Sequence, residues 1–446
     1  MNKKIVILGA GESGVGAAVL GIKQGYDVFV SDNNIIKENY KSILKDYHIN
    51  YEENKHTYSE ILKADEIIKS PGIPDNTDVI KTIKQNNIPI ISEIEFAYRF
   101  AMGKIIGITG SNGKTTTSFL LYHILKKSKL DVQLAGNMGK SFAMQLAQKD
   151  SKYWVLEISS FQLDDIKAFK ADIAILLNIT PDHLDRYDNS FEKYAQSKFK
   201  IINNQTSEDV FIYCLDDNTI TKQLEQHSIK TRTYPFSISK KISDNGAYLD
   251  ENKLIIIVNN NKFNIMIEQL ALQGKHNIYN SMAAAISARI LEISDEILKE
   301  SLSNFDNIEH RLEFVASVHG IDFINDSKAT NVNSTWYALE SFNRPIIWIA
   351  GGIDKGNDYK FLNEIVKRKV KGIVCLGEDN TKIIKAFIKK VPFIADTKTM
   401  QDAVNAAYYF GEPGDVVLLS PACASFDLFE NFEDRGIQFK NAVREL

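Results

Sequence analysis

Residues 105–125 read IIGITGSNGKTTTSFLLYHIL, in which an apolar run, a Gly-rich turn and a helical pattern follow one another. This order predicts a β-strand that leads through a tight turn into a helix beginning near Lys114. Backbone N–H groups of such a turn, a Lys ammonium and a Thr hydroxyl suited to Mg²⁺ together hold a polyphosphate. Ile108 stands where the strict P-loop pattern has its first Gly, so a plain strand-to-helix turn is the alternative. We expect an ATP-binding cradle formed by Gly110, Ser111, Asn112, Gly113, Lys114, Thr115 and Thr116.

The rest of the chain is organised around this cradle as three α/β sections. The first opens with the strand KIVILG, the turn GAGESG and the strand DVFVSD, which is how a parallel α/β unit begins. The middle section continues through the strands YWVLEIS and DIAILLNIT, and its later part resembles an antiparallel insertion with hairpin turns. The last section again alternates apolar strands with helices. We expect a Rossmann-like domain at 1–94, a P-loop-type ATPase domain with a small antiparallel insertion at 95–306, and a Rossmann-like domain at 307–446.

Composition narrows the class of protein. A chain of 446 residues is too long to fold around one ordinary hydrophobic core. Its net charge of −4 gives no basic surface for nucleic acid or anionic membranes. Three cysteines without a C-x-x-C pair argue against a disulfide framework and a zinc ribbon. No run approaches the roughly 20 apolar residues of a membrane span, and the N-terminal apolar run is too short for a signal peptide. We expect a cytoplasmic monomer without stable membrane insertion.

The first turn permits two kinds of ligand. Gly9, Gly11 and Gly14 after a strand, with Asp32 at the end of the next strand, match the dinucleotide fingerprint. The same geometry accepts any nucleotide diphosphate, and a second, ATP-type cradle in the chain favours a non-redox nucleotide. A nicotinamide dehydrogenase, a purely structural turn and a non-catalytic nucleotide-binding module are the alternatives.

Two polar residues follow strands that neighbour the cradle. Glu157 ends the strand YWVLE, and His183 lies just after the strand DIAILLNIT. Parallel neighbours bring both residues to the carboxyl edge of the sheet, where α/β proteins bind ligands. Mg²⁺ prefers oxygen ligands such as Glu157 and Thr115, whereas a lone His183 is more often a structural loop residue.

A series of long motifs resembles one family, the Mur ligases, which are ATP-dependent amide-forming enzymes of peptidoglycan synthesis. The ending SPACASFDLFENFEDRG, together with the GAGESG opening, is most similar to the member that adds D-glutamate to UDP-N-acetylmuramoyl-L-alanine. Members that add L-alanine or a diamino acid are the rivals within the family. The other motifs are TGSNGKTT (109–116), EISSFQ (157–162), NITPDHLD (178–185), GKHNIYN (274–280), HRLE (310–313) and NDSKATN (325–331).

The resemblance implies catalytic roles for Lys114, Glu157, His183 and Lys198. It implies Mg²⁺ on Thr115, Glu157, His183 and an N-carboxylated Lys198, which without the family would be a solvated helix lysine. It also implies ATP contacts from Asn277, Arg311 and Asp326. Ser13, Asp32, Gly72 and Asn137 correspond to UDP-substrate contacts, although Glu12 departs from the apolar residue common in relatives.

The resemblance places the D-glutamate end of the site on Lys328, Thr330, Lys355, Ser425 and Phe432. Lysine and hydroxyl donors suit an amino acid with two carboxylates. The simpler interpretations are a helix cap for Ser425, a core aromatic for Phe432 and a solvated loop lysine for Lys355. Phe426 stands where relatives often have Leu.

Overall fold

The computed structural model of the chain describes residues 2–305 and 309–446. These residues form three sheets in two compact units, Met1–Leu270 with Ile278–Asn304, and Ala271–Asn277 with Phe305–Leu446. The first two sheets lie in the first unit and the third sheet lies in the second. The domain boundary expected after residue 94 falls within a helix, Glu93–Tyr98, and the boundary expected after residue 306 lies outside the described residues.

The first sheet has five parallel strands in the order β3-β2-β1-β4-β5, as expected for a Rossmann-like domain. Its apolar strands are buried because helices cover both faces, and Val6, Leu8 and Ile67 pack against Val79, Ile80 and Ile83. Its strands are β1 (Lys4–Leu8), β2 (Asp27–Ser31), β3 (Asn50–Glu52), β4 (Glu66–Lys69) and β5 (Ile90–Ser92). Its helices are α1 (Glu12–Lys23), α2 (Glu38–Asp46), α3 (Tyr58–Ile61), α4 (Asp78–Gln85) and α5 (Glu93–Tyr98).

The second sheet has nine strands in the order β14-β13-β12-β11-β10-β9-β6-β8-β7. Its strands are β6 (Lys104–Thr109), β7 (Val132–Gly136), β8 (Tyr153–Glu157), β9 (Ile173–Leu176), β10 (Val210–Cys214), β11 (Arg232–Ser237), β12 (Gly246–Asp250), β13 (Lys253–Val258) and β14 (Asn261–Met266). Its helices are α6 (Lys114–Lys127), α7 (Phe142–Gln148), α8 (Ser160–Asp164), α9 (Phe191–Phe199), α10 (Asn218–Gln226), α11 (Lys275–Ile290) and α12 (Asp295–Ser303).

The antiparallel part of this sheet is smaller than the sequence suggested. The strands β10 and β11 pair in parallel with the main sheet, which corrects the antiparallel assignment of FIYCL and RTYPFSI. Only the pairs β12–β13 and β13–β14 are antiparallel, and β12 joins them to the same sheet through a parallel pairing with β11. The hairpin expected in LIIIVNNNKFNIMI is confirmed, with Asn259 and Asn260 at its turn, both at positive φ (50° and 63°).

The third sheet has six strands in the order β15-β16-β20-β17-β18-β19, parallel except for β15 against β16. Alternate residues of one central strand enter different cores: Ile346 and Trp348 pack on one face, and Ile347 and Ile349 on the other. Its strands are β15 (Glu313–Val318), β16 (Ile321–Asn325), β17 (Ile346–Gly351), β18 (Val370–Leu376), β19 (Phe393–Thr397) and β20 (Val416–Ala422). Its helices are α13 (Val332–Glu340), α14 (Asn363–Lys369), α15 (Thr381–Phe387), α16 (Met400–Phe410) and α17 (Phe432–Arg444).

Two expectations drawn from composition can be compared with the structure. All three cysteines, Cys214, Cys375 and Cys423, are free and buried, in agreement with the expected lack of a disulfide framework. Across residues 2–305 and 309–446, no helix is both long enough and apolar enough to cross a membrane.

Candidate active site

The strand–turn–helix of residues 105–125 is confirmed, with β6 ending at Thr109 and α6 beginning at Lys114. Gly113 closes the turn with a left-handed φ of 84°. A Cβ atom on Gly113 would lie 2.3 Å from Oδ1 of Asn280. Glycine is therefore required here both for its backbone conformation and for the close approach of α11.

Hydrogen bonds fix the loop of the cradle to the segment that follows β9. Ser111 Oγ donates to the carbonyl of Thr180 (2.8 Å) and contacts the Tyr194 hydroxyl (3.0 Å). Asn112 and Asn178 exchange two hydrogen bonds, of 2.9 and 3.0 Å. The loop is thus held in one shape by polar partners from two other elements, which suits a preformed anion site.

Lys114 supplies a cation at the cradle. Its Nζ donates to the carbonyls of Gly110 (2.8 Å) and Ser111 (3.1 Å), so the side chain curls back over the loop. Backbone N–H groups at the start of α6 add partial positive charge at the same place. Together they favour a bound phosphate group.

A hydroxyl and a carboxylate lie together beside the cradle. Thr115 Oγ1 donates to Glu157 Oε2 (2.7 Å), and Asn137 Nδ2 donates to Glu157 Oε1 (3.0 Å). Thr115 and Glu157 are buried, and Thr116 is buried next to them in α6. Hard oxygen donors of this kind suit Mg²⁺. Asn137, expected at the UDP-substrate, contacts Glu157.

His183 lies in the loop after β9, where the sequence placed it. Its backbone adopts a left-handed conformation with φ of 52°, and its ring packs edge-on against Phe161 at 5.2 Å. Nε2 lies 3.7 Å from the Asp182 carboxylate. Within the part of the chain that the structure describes, no group of three or more His, Cys, Asp or Glu side chains is arranged to hold a metal ion. His183 therefore stays a predicted ligand.

Lys198 is a buried residue of the site and not a solvated helix lysine. It is 1% exposed, its Nζ donates to the Gly110 carbonyl (2.9 Å), and the ammonium lies 4.7 Å from the Tyr194 ring centre. Burial, and next the charge of Lys114, hold the pKa of Lys198 well below that of an ordinary lysine. Two lysines thus converge on one carbonyl, and burial penalises the charged form of Lys198.

A cleft of about 790 Å³ lies at the carboxyl ends of β1, β2 and β4. The predicted residues Ser13, Asp32 and Gly72 line it, whereas Lys and Arg do not occur among the described residues of its wall. The start of α1 also lines the cleft, so its backbone N–H groups can receive a diphosphate in place of cationic side chains. The cleft stays the predicted place of a nucleotide diphosphate.

The turn GAGESG builds the cleft through close backbone packing. A Cβ on Gly14 would lie 1.8 Å from the Gly9 carbonyl oxygen, so only glycine lets α1 start this close to β1. The Asp32 carboxylate accepts hydrogen bonds from the N–H groups of Ala10 (2.7 Å) and Asn34 (2.8 Å). Glu12, the departure from the apolar family position, accepts from Ser141 N at 3.2 Å.

In the second unit, the positive charge of Arg311 acts on the pKa of the buried Asp326 carboxyl group. Asp326 is 5% exposed, and its carboxylate accepts from Ser420 Oγ (2.9 Å) and Leu312 N (3.3 Å). Burial raises the pKa of Asp326 to about 7 despite the opposing charge of Arg311. Asn277 is buried, and its Nδ2 donates to the Gln273 carbonyl (2.9 Å).

Two of the residues expected at D-glutamate lie together. Lys328 Nζ is 5.2 Å from the Phe432 ring centre. Ser425 is buried and Thr330 is half-buried, whereas Lys355 is exposed in the loop after β17. Lys328 and Phe432 form one surface. The structure gives no direct contact between Lys355 and that surface.

Two further side chains lie beside the predicted site residues and were not predicted from the sequence. Arg435 is 1% exposed and donates to both Oγ and O of Ser327 and to the Cys423 carbonyl. Ser327 precedes Lys328, and its Oγ donates to the Phe432 carbonyl (2.8 Å). Arg435 lies inside the motif of residues 420–436, so the sequence pattern could have identified it. Tyr194 lies four residues before Lys198 and therefore on the same face of α9, a spacing that could have identified it.

Comparison with known proteins gives matches along most of the chain. Residues 4–79 match the MurD N-terminal domain, residues 108–288 the Mur ligase middle domain, and residues 310–423 the Mur ligase, glutamate ligase domain. The UDP-N-acetylmuramoylalanine--D-glutamate ligase of Christiangramia forsetii is 53% identical over 446 residues, covering 100% of both chains. The protein of the same name from Bacteroides fragilis is 53% identical over 445 residues, again covering 100% of both.

Solved structures share the fold at low sequence identity. The UDP-N-acetylmuramate-alanine ligase of Thermotoga maritima is 18% identical with a TM-score of 0.64, covering 99% of both chains. The MurF ligase of the same organism, in complex with ADP, is 18% identical with a TM-score of 0.63, covering 94% of this chain and 95% of its own. The full-length identity to curated relatives and the three domain matches show that the chain belongs to the Mur ligase family.

Proposed function

We propose that the chain is an ATP-dependent ligase that joins D-glutamate to UDP-N-acetylmuramoyl-L-alanine in peptidoglycan precursor synthesis. The observation that carries this proposal is the 53% identity, over the whole chain, to relatives named for that activity. The N-terminal match to the MurD domain supports the same choice within the family. We place the reaction in the cytoplasm and take the enzyme to be a monomer.

The chemistry requires activation of a poor electrophile. A carboxylate does not accept an amine, so ATP first transfers its γ-phosphoryl group to the substrate carboxylate, which gives an acyl phosphate and ADP. The amine of D-glutamate then attacks the carbonyl carbon, the C–O bond to phosphate breaks, and the amine loses a proton. Both partners of the first step are anions, so cations must gather at the γ-phosphate. Lys114 and the N-terminus of α6 meet this need at the cradle.

The residues beside the cradle fit a magnesium ion. Thr115 Oγ1 and the Glu157 carboxylate would hold it, with His183 as a further predicted ligand, and the ion would neutralise phosphate charge. The rest of the nucleotide site consists of predicted contacts: adenine at Asn277, and ATP at Arg311 and Asp326.

We propose that Lys198 is carboxylated in the active enzyme. Its neutral amine attacks CO₂, a C–N bond forms, one proton leaves, and the resulting carbamate supplies a carboxylate in a buried position. Enzyme freed of bicarbonate at low pH should lose most of its activity and recover it when bicarbonate is added. Activity that does not depend on added bicarbonate after such treatment would argue against the carbamate.

The substrate ends are assigned to two places. The diphosphate and uridine belong in the cleft lined by Ser13, Asp32 and Gly72. D-Glutamate belongs near Lys328 and Phe432, with Thr330, Lys355 and Ser425 as its other predicted partners.

A panel of amino acids tests the proposal. Phosphate release with UDP-N-acetylmuramoyl-L-alanine should be high with D-glutamate and low with L-glutamate, L-alanine or a diamino acid, because only D-glutamate places an amine and two carboxylates correctly. A preference for any of the other three would move the chain elsewhere in the family. A nicotinamide dehydrogenase would instead change NAD(P)H absorbance, and a nucleotide-binding module would release no phosphate.

A further inference from the structure

Arg186 links two loops of the first unit that carry different parts of the site. Its Nη1 donates to the carbonyl of Gly72 (3.3 Å), and its Nη2 donates to the carbonyls of Pro71 (3.3 Å) and Ile73 (3.2 Å). These three consecutive residues line the cleft proposed for the uridine diphosphate group. One guanidinium therefore binds three consecutive carbonyls of the cleft loop.

The other side of Arg186 faces the segments beside the cradle. The guanidinium carbon lies 4.5 Å from the ring centre of Phe161, in α8, which begins just after Glu157. The Phe161 ring stacks on Tyr187 at 5.9 Å and contacts the ring of His183 at 5.2 Å. Arg186 itself lies three residues after His183, in the segment that Thr180 anchors to Ser111 of the cradle.

The side chain also lacks the partner that a structural arginine usually has. Among the residues that the structure describes, no carboxylate is within ion-pair distance of Arg186, so its donors are used on backbone carbonyls and on an aromatic face. A planar guanidinium is suited to both contacts at once, whereas an ammonium can satisfy only part of them.

We propose that Arg186 is a positioning residue that holds the cleft loop 71–73 in register with the cradle, so that the UDP-linked substrate presents its carboxylate to the γ-phosphate. This inference rests on the proposed function of the cleft. It predicts that losing Arg186 weakens UDP-substrate binding and slows phosphoryl transfer, while ATP binding at the cradle stays the same.

The test compares Arg186→Ala and Arg186→Lys with Arg232→Ala. Arg232 is an exposed arginine of the same unit whose guanidinium also donates to a backbone carbonyl, that of Glu208, at 2.8 Å. In Arg186→Ala, the KM for UDP-N-acetylmuramoyl-L-alanine should rise roughly 10-fold and kcat should fall several-fold, because charge-assisted hydrogen bonds are lost. The KM for ATP should change less than about twofold, and Arg232→Ala should match the wild type. Arg186→Lys should resemble Arg186→Ala, since charge alone does not restore the alignment.

Calorimetry with UDP alone separates the inference from the proposed function. Wild-type protein that binds neither UDP nor the UDP-linked substrate would overturn both. Wild-type binding together with unchanged KM and kcat in Arg186→Ala would overturn the inference only, as would an equal rise in the KM values of both substrates. If Arg186→Ala does not fold, Arg186→Gln keeps a planar donor of similar shape, and the same split between the two KM values decides the question.

Discussion

Two lysine side chains that share one backbone oxygen define the chemistry of the cradle. Lys114 and Lys198 both donate to the carbonyl of Gly110, at 2.8 and 2.9 Å. The first can be predicted from its place at the start of a helix after a Gly-rich turn. The second was implied by the family resemblance alone, because α9 also carries Lys193, which is exposed, and nothing local distinguishes the two lysines. The burial of Lys198 against distant segments is what the fold adds.

Replacing Lys114 tests the cradle at the scale of one residue. Lys114→Ala should lower kcat by about 100- to 1,000-fold, because the lost charge acts on phosphate in the transition state. Lys126→Ala, an exposed lysine near the other end of α6, is the matched control and should leave kcat unchanged. Steady-state phosphate release measures both variants. A Lys114→Ala enzyme with near-normal turnover would place the reaction at another site.

Packing between elements depends on a buried carboxyl group where α5 meets α7. Glu93 is 1% exposed at the start of α5, and its Oε1 accepts from Ala143 N in the first turn of α7 (2.5 Å). Burial raises the pKa of Glu93 from 4.5 to about 8, and the charge of Glu12 adds to the rise against this hydrogen bond. The contact is therefore made by a protonated acid at neutral pH.

The protonated Glu93 gives the fold a pH dependence with a definite sign. The pKa of Glu93 is about 8 in the folded protein and 4.5 in the unfolded chain. Its contribution to the free energy of unfolding is therefore complete below pH 4.5 and is lost as the pH rises to about 8. Glu93→Gln, which is neutral at every pH, should exceed the wild type in free energy of unfolding by about 1 to 4 kcal/mol at pH 8.5, and the difference should shrink toward pH 5. Urea unfolding at several pH values measures this.

The control for this prediction is an exposed carboxylate at a helix start. Glu38→Gln in the first turn of α2 should leave the slope of stability against pH nearly unchanged. A Glu93→Gln protein whose stability follows the wild-type curve at every pH would show that Glu93 is ionised in the native state.

Elements were predictable where both faces of a strand are buried. The runs that became β1, β8 and β17 are continuous and apolar because helices cover the sheet on both sides. The three-residue β3, NYE, has no such pattern and was missed. Strand direction was also misjudged for β10 and β11, although the helical stretch between them, α10, is the crossover that parallel neighbours need.

At the scale of the whole molecule, the predicted substrate contacts are divided between the two units. The cradle and the nucleotide cleft lie in the first unit, whereas the residues predicted to bind D-glutamate lie in the second. The assignment of D-glutamate to the second unit rests on the order of motifs along the chain and stays a prediction. Which side chains of the second unit contact one another, such as Lys328 with Phe432, depends on loops far apart in sequence and could not be predicted.

A substitution in the second unit should impair amide formation with D-glutamate and leave acyl-phosphate formation unchanged. Lys355→Ala should lower kcat/KM for D-glutamate roughly 10- to 150-fold, the cost of one charge-assisted contact, with little change in the KM for ATP. Lys360→Ala, an exposed lysine five residues further on, should behave as the wild type. Without D-glutamate, hydroxylamine should capture the acyl phosphate equally well in all three proteins. Loss of that capture in Lys355→Ala would assign Lys355 to the first step.

The buried cysteines determine how the protein responds to electrophiles. Burial raises the pKa of Cys214 and Cys375 to about 12 and that of Cys423 to about 11, so almost no thiolate exists at neutral pH. Iodoacetamide should therefore leave the native protein unlabelled by mass spectrometry and label all three cysteines after denaturation. Cysteine-directed electrophiles are therefore poor starting points for covalent inhibitors of the folded enzyme.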